Sequence, residues 1–487
     1  MAQGVFRRAG VDQAGSGLIG VAMGRTFPDC SSMVSNELSS AKVALKRLAG
    51  ARVIWLNKAA PEVDDPSPAS REREALRRAR LIESCAYLVS DRRTVTAHGW
   101  ADRYGGSGIG TNGGSGRSVV LDGYSVKGVG PTPLIGVGTP LAHSSGGAYL
   151  EEAIREILFS RLLQRIMPHG ASPIVAVIDT GIDQQWHLEG GIKTERRVLI
   201  VRRFALRPAH FQRAYRYRPA GYEGKRADIA RVAHNFRTFS GLFAAAGLRQ
   251  RLEDCYGRWA EQLAFALVHN VALGPSPSNV TLEGEVMDFG ACSTLPVSAN
   301  YFISPGNSVV GDFGRLLGSL DEVALSATSF DADMFHDFGA TVEAKAVEAY
   351  ERTLVSEVLN AVGLGNRYKS IEKSASARAD VLKSFLSYRR DATRLRLDLL
   401  ASQYQLRFRA VPGLEAIWSA DRPASLDPLA TALQMHFGCT GRGVSSVFKP
   451  WSVTRESLRE EITDYIEKAG SITDLDEVIS HFGQGFD

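Results

Sequence analysis

The spacing of apolar positions changes character along the chain. Over residues 36–90 it is read as helical: Asn36 opens a segment with Leu38, Val43, Leu45 and Leu48 at helix-compatible intervals. A second segment, 70–81, interleaves Arg and Glu as a solvated helix face does. From 105 to 147 glycine dominates and short β-rich runs appear, so 118–121 and 124–127 are expected as strands. Residues 148–166 return to a helical period, with Leu150, Ile154, Ile157, Leu158 and Leu162 on the main apolar face. Two further strands are expected at 174–178 and 198–201. The segment 105–203 is thus a strand–strand–helix–strand–strand unit of mostly antiparallel character. The remainder reads as helices over 227–272, 340–363, 377–403, 426–436 and 454–467, interrupted by one β-like piece at 280–287.

This order predicts an α+β chain of two lobes. A helical extension (1–90) precedes a small glycine-rich β lobe (91–206), a larger helical lobe (207–453), and a terminal helix with its tail (454–487). A hinge falls near Ala205–Pro208, and the tail is expected on the helical lobe or against a partner. The chain has 487 residues, 44% hydrophobic and 23% charged, which excludes a disordered or fibrous class. A net charge of +4 on a body of this size does not imply a nucleic-acid partner. No run approaches the roughly eighteen apolar residues of a membrane helix. The five cysteines lack any Cys-x-x-Cys, which argues against a zinc site or disulfide framework and for a reducing compartment. The apolar stretch 18–23 follows Asp12 and is broken by Gly20, so it reads as an ordinary N-terminus, and a cytoplasmic location is expected.

One motif is a decoy. Asp179-Thr180-Gly181 at the end of an apolar run looks like the aspartate segment of subtilisin-like proteases, but a triad needs three members. His98-Gly99 continues into Trp100, His169-Gly170 into Ala171, and Gly138-Thr139 into Pro140, so neither the histidine nor the serine segment is present.

A second set of residues carries the requirements of a nucleoside triphosphate site: backbone amides freed by glycine, fixed cations and hard oxygen ligands for Mg²⁺. A P-loop is excluded, because Gly224-Lys225 has no glycine five positions upstream of Gly224. Lys127 ends a predicted strand and opens Lys127-Gly128-Val129-Gly130-Pro131-Thr132-Pro133. Glu156 shares a helical stripe with Phe159, Leu163 and Ile166, where a carboxylate needs a cation, and Lys127 is the expected partner. Asn279 and Asp288 flank a hairpin-like run that returns both oxygens to one end, and Asp288 opens Asp288-Phe289-Gly290. Between Arg196 and Arg237 twelve Lys and Arg face only Glu223 and Asp228, a field suited to polyphosphate.

In this order the motifs resemble those of the selenoprotein O family of protein adenylyltransferases. Gly114-Ser115-Gly116-Arg117 is similar to its Gly-Asp-Gly-Arg, the Lys127 segment to its Lys-Gly-x-Gly-x-Thr-Pro, and Ile154-Arg155-Glu156 to its Ile-Arg-Glu. Asn279 and Asp288 match its metal-binding Asn and Asp. The resemblance spans about 100–300 and implies a protein-kinase-like fold that binds ATP with Mg²⁺ (or Mn²⁺) in a flipped orientation. It also implies transfer of AMP to Ser, Thr or Tyr hydroxyls of a protein or peptide. On that basis Lys127, fixed by Glu156, neutralises phosphate oxygens; Gly114, Gly116 and Arg117 cover them; Arg203 and Arg213 add charge, with Gln212 at the position that simple alignment gives the second arginine; and Asn279 and Asp288 hold the metal. The chain departs from the family at three positions. Ser278 stands where the family has its presumed catalytic base, an aspartate, and Ser115 and Ser145 replace two further aspartates. Two other readings follow: a nucleotide-binding pseudoenzyme that docks a partner, and a kinase-like peptide-modifying enzyme of natural-product maturation. His210 and His269 lack metal-ligand spacing and read as structural, and Cys439 has no redox context.

Overall fold

Alternation rather than helical period governs the segment from Ala41 to Leu56. Val43 and Leu45 are buried while the residues around them are not, so Ala41–Arg47 forms strand β1, and Arg52–Leu56 forms β2. The expected helix over this stretch is therefore replaced by strands; only the second predicted segment is helical, as α1 (Arg71–Cys85). The computed structural model describes residues 40–59, 71–90, 94–106, 111–188, 191–219, 223–274, 276–294, 300–304, 307–365, 374–391, 394–396, 414–438, 460, 463–464 and 474–483. Its described residues show a mixed α and β protein whose main sheet is curled and antiparallel, with two smaller sheets of two and three short strands.

The sheet continues through β3 (Tyr87–Val89), β4 (Ala97–Ala101), β5 (Ser118–Leu121), β6 (Tyr124–Lys127), β7 (Ala148–Tyr149), β8 (Ile174–Leu188) and β9 (Gly191–Arg203). Its nine strands run in the order β2-β8-β9-β6-β5-β4-β1-β3, with β7 added on β9. Residues 41–47, 52–56 and 87–89 thus build the sheet itself. Strands β8 and β9 were expected at 174–178 and 198–201, but their hairpin runs on: Asp183–Leu188 pairs with Gly191–Arg196 beyond the reach of β2, β6 and β7.

Helix α2 (Leu150–Ile166) crosses the sheet and is buried on two sides. Ile154, Ile157 and Leu158 pack with Val177, Val198 and Ile200 of the sheet. Phe159 and Leu163 join the larger core of the helical part. On β9 the partners alternate, with Val198 and Ile200 towards α2 and Leu199 and Val201 in the cluster on the other face.

The helical part is built from α3 (Glu223–Phe243), α4 (Ala245–Val268), α5 (Asp312–Phe330), α6 (Phe338–Ala361), α7 (Ala375–Asp391) and α8 (Asp427–Phe437). The single helix expected over 227–272 is split at Ala244, whose φ of 55° cannot continue an α-helix. The helix expected over 377–403 stops at Asp391; residues 394–396 are extended, and 397–403 lie outside the described residues. Most of the expected helix 454–467 lies outside them too. The last described helix, α9 (Asp476–Gly483), does not pack on the helical part: Leu475, Val478 and Ile479 join Ile54, Trp55 and the α2 residues Ile154, Ile157 and Leu158.

Candidate functional site

Lys127, at the end of β6, is the meeting point of three carboxylates. Its Nζ donates to Glu156 Oε1 and to Asp288 Oδ1, each at 2.9 Å, and ion-pairs with Glu152 Oε1 at 2.9 Å. Glu156 is fully buried, and its other oxygen accepts from the Arg202 guanidinium and from the Phe289 backbone N–H at 3.4 Å. One carboxylate therefore ties together β6, β9 and the 288–289 turn. A buried charge of this kind is tolerated only when cations and hydrogen bonds replace its water. Arg202 also lies over the Phe289 ring, 5.2 Å from its centroid.

These contacts set the charge states. Lys127 pulls the Asp288 carboxyl well below the usual range, although burial opposes it. Burial pushes Glu152 upward, but Lys127 and Arg117 outweigh it and bring its pKa to about 2. Burial lowers Arg202 to about 10, so it remains a cation at neutral pH.

Asn279 and Asp288 are brought to one end of a hairpin, as the spacing predicts. Met287 N–H donates to the Asn279 carbonyl at 2.9 Å, and Thr281 N–H to the Glu285 carbonyl at 2.9 Å. Gly284 turns the hairpin at φ 86°, in a space where a Cβ would stand 2.6 Å from Arg258 Cβ. Asp288 has φ 60°, a left-handed conformation that Asp adopts more readily than most residues. Its side chain remains 45% exposed, towards the cleft. Asn279 Nδ2 donates to the Gly274 carbonyl at 3.3 Å, while its Oδ1 accepts from the Ser278 hydroxyl at 3.3 Å.

Among the described residues no group of three His, Cys, Asp or Glu side chains is placed to hold a metal. The Asp288 carboxylate and the Asn279 amide oxygen are nonetheless hard donors on one wall. That set suits Mg²⁺ when ligand oxygens and water complete the shell, the usual arrangement for this ion with phosphates.

A cleft of about 910 Å³ lies over these groups. Its sheet wall is one face of β6 and β9, where Ser125, Lys127, Ile200 and Arg202 are neighbours in register. Gly114, Gly116 and Arg117 line it as expected. Gly114 is required by its own surroundings, since a Cβ there would sit 2.2 Å from the Asp102 carbonyl oxygen. Arg117 is held by Glu152 in a two-point contact at 2.8 and 3.0 Å. Ser278 is buried in the cleft wall, its hydroxyl 2.9 Å from that of Ser276.

Two assignments shift. Along β9 successive side chains alternate, and Arg202 rather than Arg203 lines the cleft. Arg213 lies over the Tyr215 ring at 4.8 Å and does not line it; Arg207 does, donating to Asp102 and to the Ser278 carbonyl, both at 3.0 Å. Gln212 is buried against Ser319. Glu152, Arg202 and Arg207 are thus cleft residues that the motifs do not contain. Glu152 was legible as the residue one helical turn before Glu156 on the same face. Asp179 is bound by Arg196 at 2.7 Å and by Arg52, not by a histidine. His210 pairs with Asp102 at 2.9 Å and His269 with Glu357 at 2.8 Å, as structural histidines do. Cys85, Cys255 and Cys292 are buried free thiols; Cys30 and Cys439 lie outside the described residues.

No family model matches the chain, and none of the curated proteins matches it. Among the described residues no helix is long and apolar enough to cross a membrane.

Proposed function

We propose that this cleft binds ATP with Mg²⁺ and that the chain transfers AMP to a hydroxyl of a protein or peptide, in a kinase-like two-lobed arrangement similar to that of the selenoprotein O family. The observation that carries the reading is the convergence of Lys127, Glu156 and Asp288 from three distant segments, with Lys127 and Asp288 on one cleft wall and Glu156 buried behind them. Lys127 and Arg202 offer positive charge to phosphate oxygens, and Glu156 fixes both cations so that little reorganisation accompanies binding. Asp288 and Asn279 would hold the metal, which supplies charge neutralisation on the phosphates. In the transfer, the acceptor oxygen forms a bond to the α-phosphorus, the bond from that phosphorus to the bridging oxygen breaks, and pyrophosphate leaves. The acceptor proton goes to solvent or to a leaving-group oxygen.

A second reading, a pseudoenzyme that binds nucleotide and docks a partner, is favoured by Ser278. Its hydroxyl is engaged by Ser276 and Asn279 and cannot serve as a base near neutral pH. Incubation with a candidate acceptor and either α-labelled or γ-labelled ATP separates the cases. Label from the α-position alone marks AMP transfer, and label from the γ-position marks phosphorylation. Nucleotide binding with neither label transferred supports the pseudoenzyme, and no nucleotide binding at all overturns both.

A further inference from the structure

The cleft has two chemically different parts. Around Lys127 the wall is densely charged, with Arg117, Arg202 and Arg207 set among the carboxylates of Glu152 and Asp288. Another part of the cleft is bounded by the stretch of the β8–β9 hairpin that runs on past its pairing with β2, β6 and β7. There Trp186 lines the cleft together with Tyr149, and the two rings meet edge to face with centroids 5.7 Å apart and planes at 69°. The charges beside them, Lys193 and Glu195, neutralise each other at 2.6 Å. Trp186 is only partly buried, yet its indole Nε1–H is shielded from solvent and has no hydrogen-bond partner among the described residues. Indole N–H groups in such positions normally find an acceptor. A projecting hairpin gains nothing in core packing from a tryptophan placed on a cleft wall, whereas a flat ligand gains a surface to stack on. An edge-to-face pair cannot cover both faces of both rings, so an aromatic face remains for a third ring.

We infer that Trp186, braced by Tyr149, is the stacking platform for the base of the bound nucleotide. This rests on the nucleotide reading above and adds to it the position of the base and the residue that selects for it. A π-face accepts any base but gains most from the larger bicyclic ring, so the platform selects purine over pyrimidine nucleotides and discriminates weakly between ATP and GTP. The phosphates then extend from the hairpin towards Lys127 and Arg202.

The test compares ATP, CTP and inorganic tripolyphosphate, each with Mg²⁺, by titration calorimetry on the full chain and on Trp186→Ala and Trp186→Phe. The expected result is that Trp186→Ala weakens ATP about 10- to 100-fold and leaves tripolyphosphate unchanged, while Trp186→Phe keeps most of the ATP affinity. Unliganded melting temperatures of both variants establish that the hairpin substitution leaves the fold intact. If Trp186→Ala binds ATP as tightly as the unaltered chain, or if that chain binds ATP no better than tripolyphosphate, the platform is wrong while the phosphate site stands. If the unaltered chain binds neither ligand, the nucleotide reading falls and takes the platform with it.

Discussion

Glu156 and Glu152 sit one helical turn apart and do different work. Glu156 is fully enclosed and serves as the common anion for Lys127 and Arg202, so neither cation is buried alone. Glu152 is nearer the opening and pairs with both Lys127 and Arg117. Its folded pKa of about 2 lies below its ordinary 4.5, so the unfolded chain binds its proton more readily as the pH falls. The stability from this carboxylate is complete above about pH 4.5 and drains away between there and about pH 2; Asp288, depressed in the same direction, adds to that acid limb. Glu152→Gln should lower the urea midpoint near pH 6 and flatten its decline from pH 6 to about pH 3. A variant whose acid limb matches the parent's would show that the ion pairs with Lys127 and Arg117 add no net stability. Sequence spacing led to Glu156 because a carboxylate on an apolar stripe needs an explanation. It passed over Arg202, because two adjacent arginines at the end of a strand look alike until the facing strand decides which one turns inward.

The hairpin from Asn279 to Asp288 is the element that turns two separated residues into one wall. Its reversal depends on Gly284, which has both a positive φ and Arg258 packed over the position a Cβ would take. Gly284→Ala must strain the backbone or displace the Arg258 stem, at a cost of about 1–3 kcal/mol. Because the turn sets the spacing of Asn279 from Asp288, the variant should lose more affinity for ATP with Mg²⁺ than for ATP in chelator. Equal losses in the two conditions would mean that the hairpin does not position metal ligands. The hairpin was legible from its ten residues because a tight turn is a local event with glycine chemistry of its own. The segment 41–56 was misread as helical because a few apolar residues fit either period, and only pairing with β3, β4 and β8 makes them strands.

Across the whole molecule, the far end of the chain comes back to the site. Helix α9 and Leu475 lie on the same face of α2 that packs against the sheet, and Lys58 holds Asp476 at 3.0 Å. That contact buttresses the helix carrying Glu152 and Glu156 through its Ile154, Ile157 and Leu158 face. Replacing Val478 and Ile479 together with alanine removes buried methyl groups, and about 2–4 kcal/mol of stability should go with them. Through α2 the same change should weaken ATP binding several-fold, although neither residue lines the cleft. A loss of melting temperature with unchanged ATP affinity would confine α9 to a structural role.

What the sequence determined by itself was local or chemically conspicuous: the two short strands ending at Lys127, the amphipathic run of α2, the glycine turn between Asn279 and Asp288, and the need of Glu156 for a cation. These follow from periodicity, turn chemistry and the cost of burying charge, each of which acts over a few residues or on a single group. Tertiary structure alone decided that 41–56 belongs to the sheet, that Arg202 and Arg207 face the cleft while Arg213 does not, that Trp186 meets Tyr149, and that α9 braces α2. Each of those depends on which face of an element meets a segment far away in the chain, and a side chain's direction is set there by packing and pairing rather than by its neighbours in sequence.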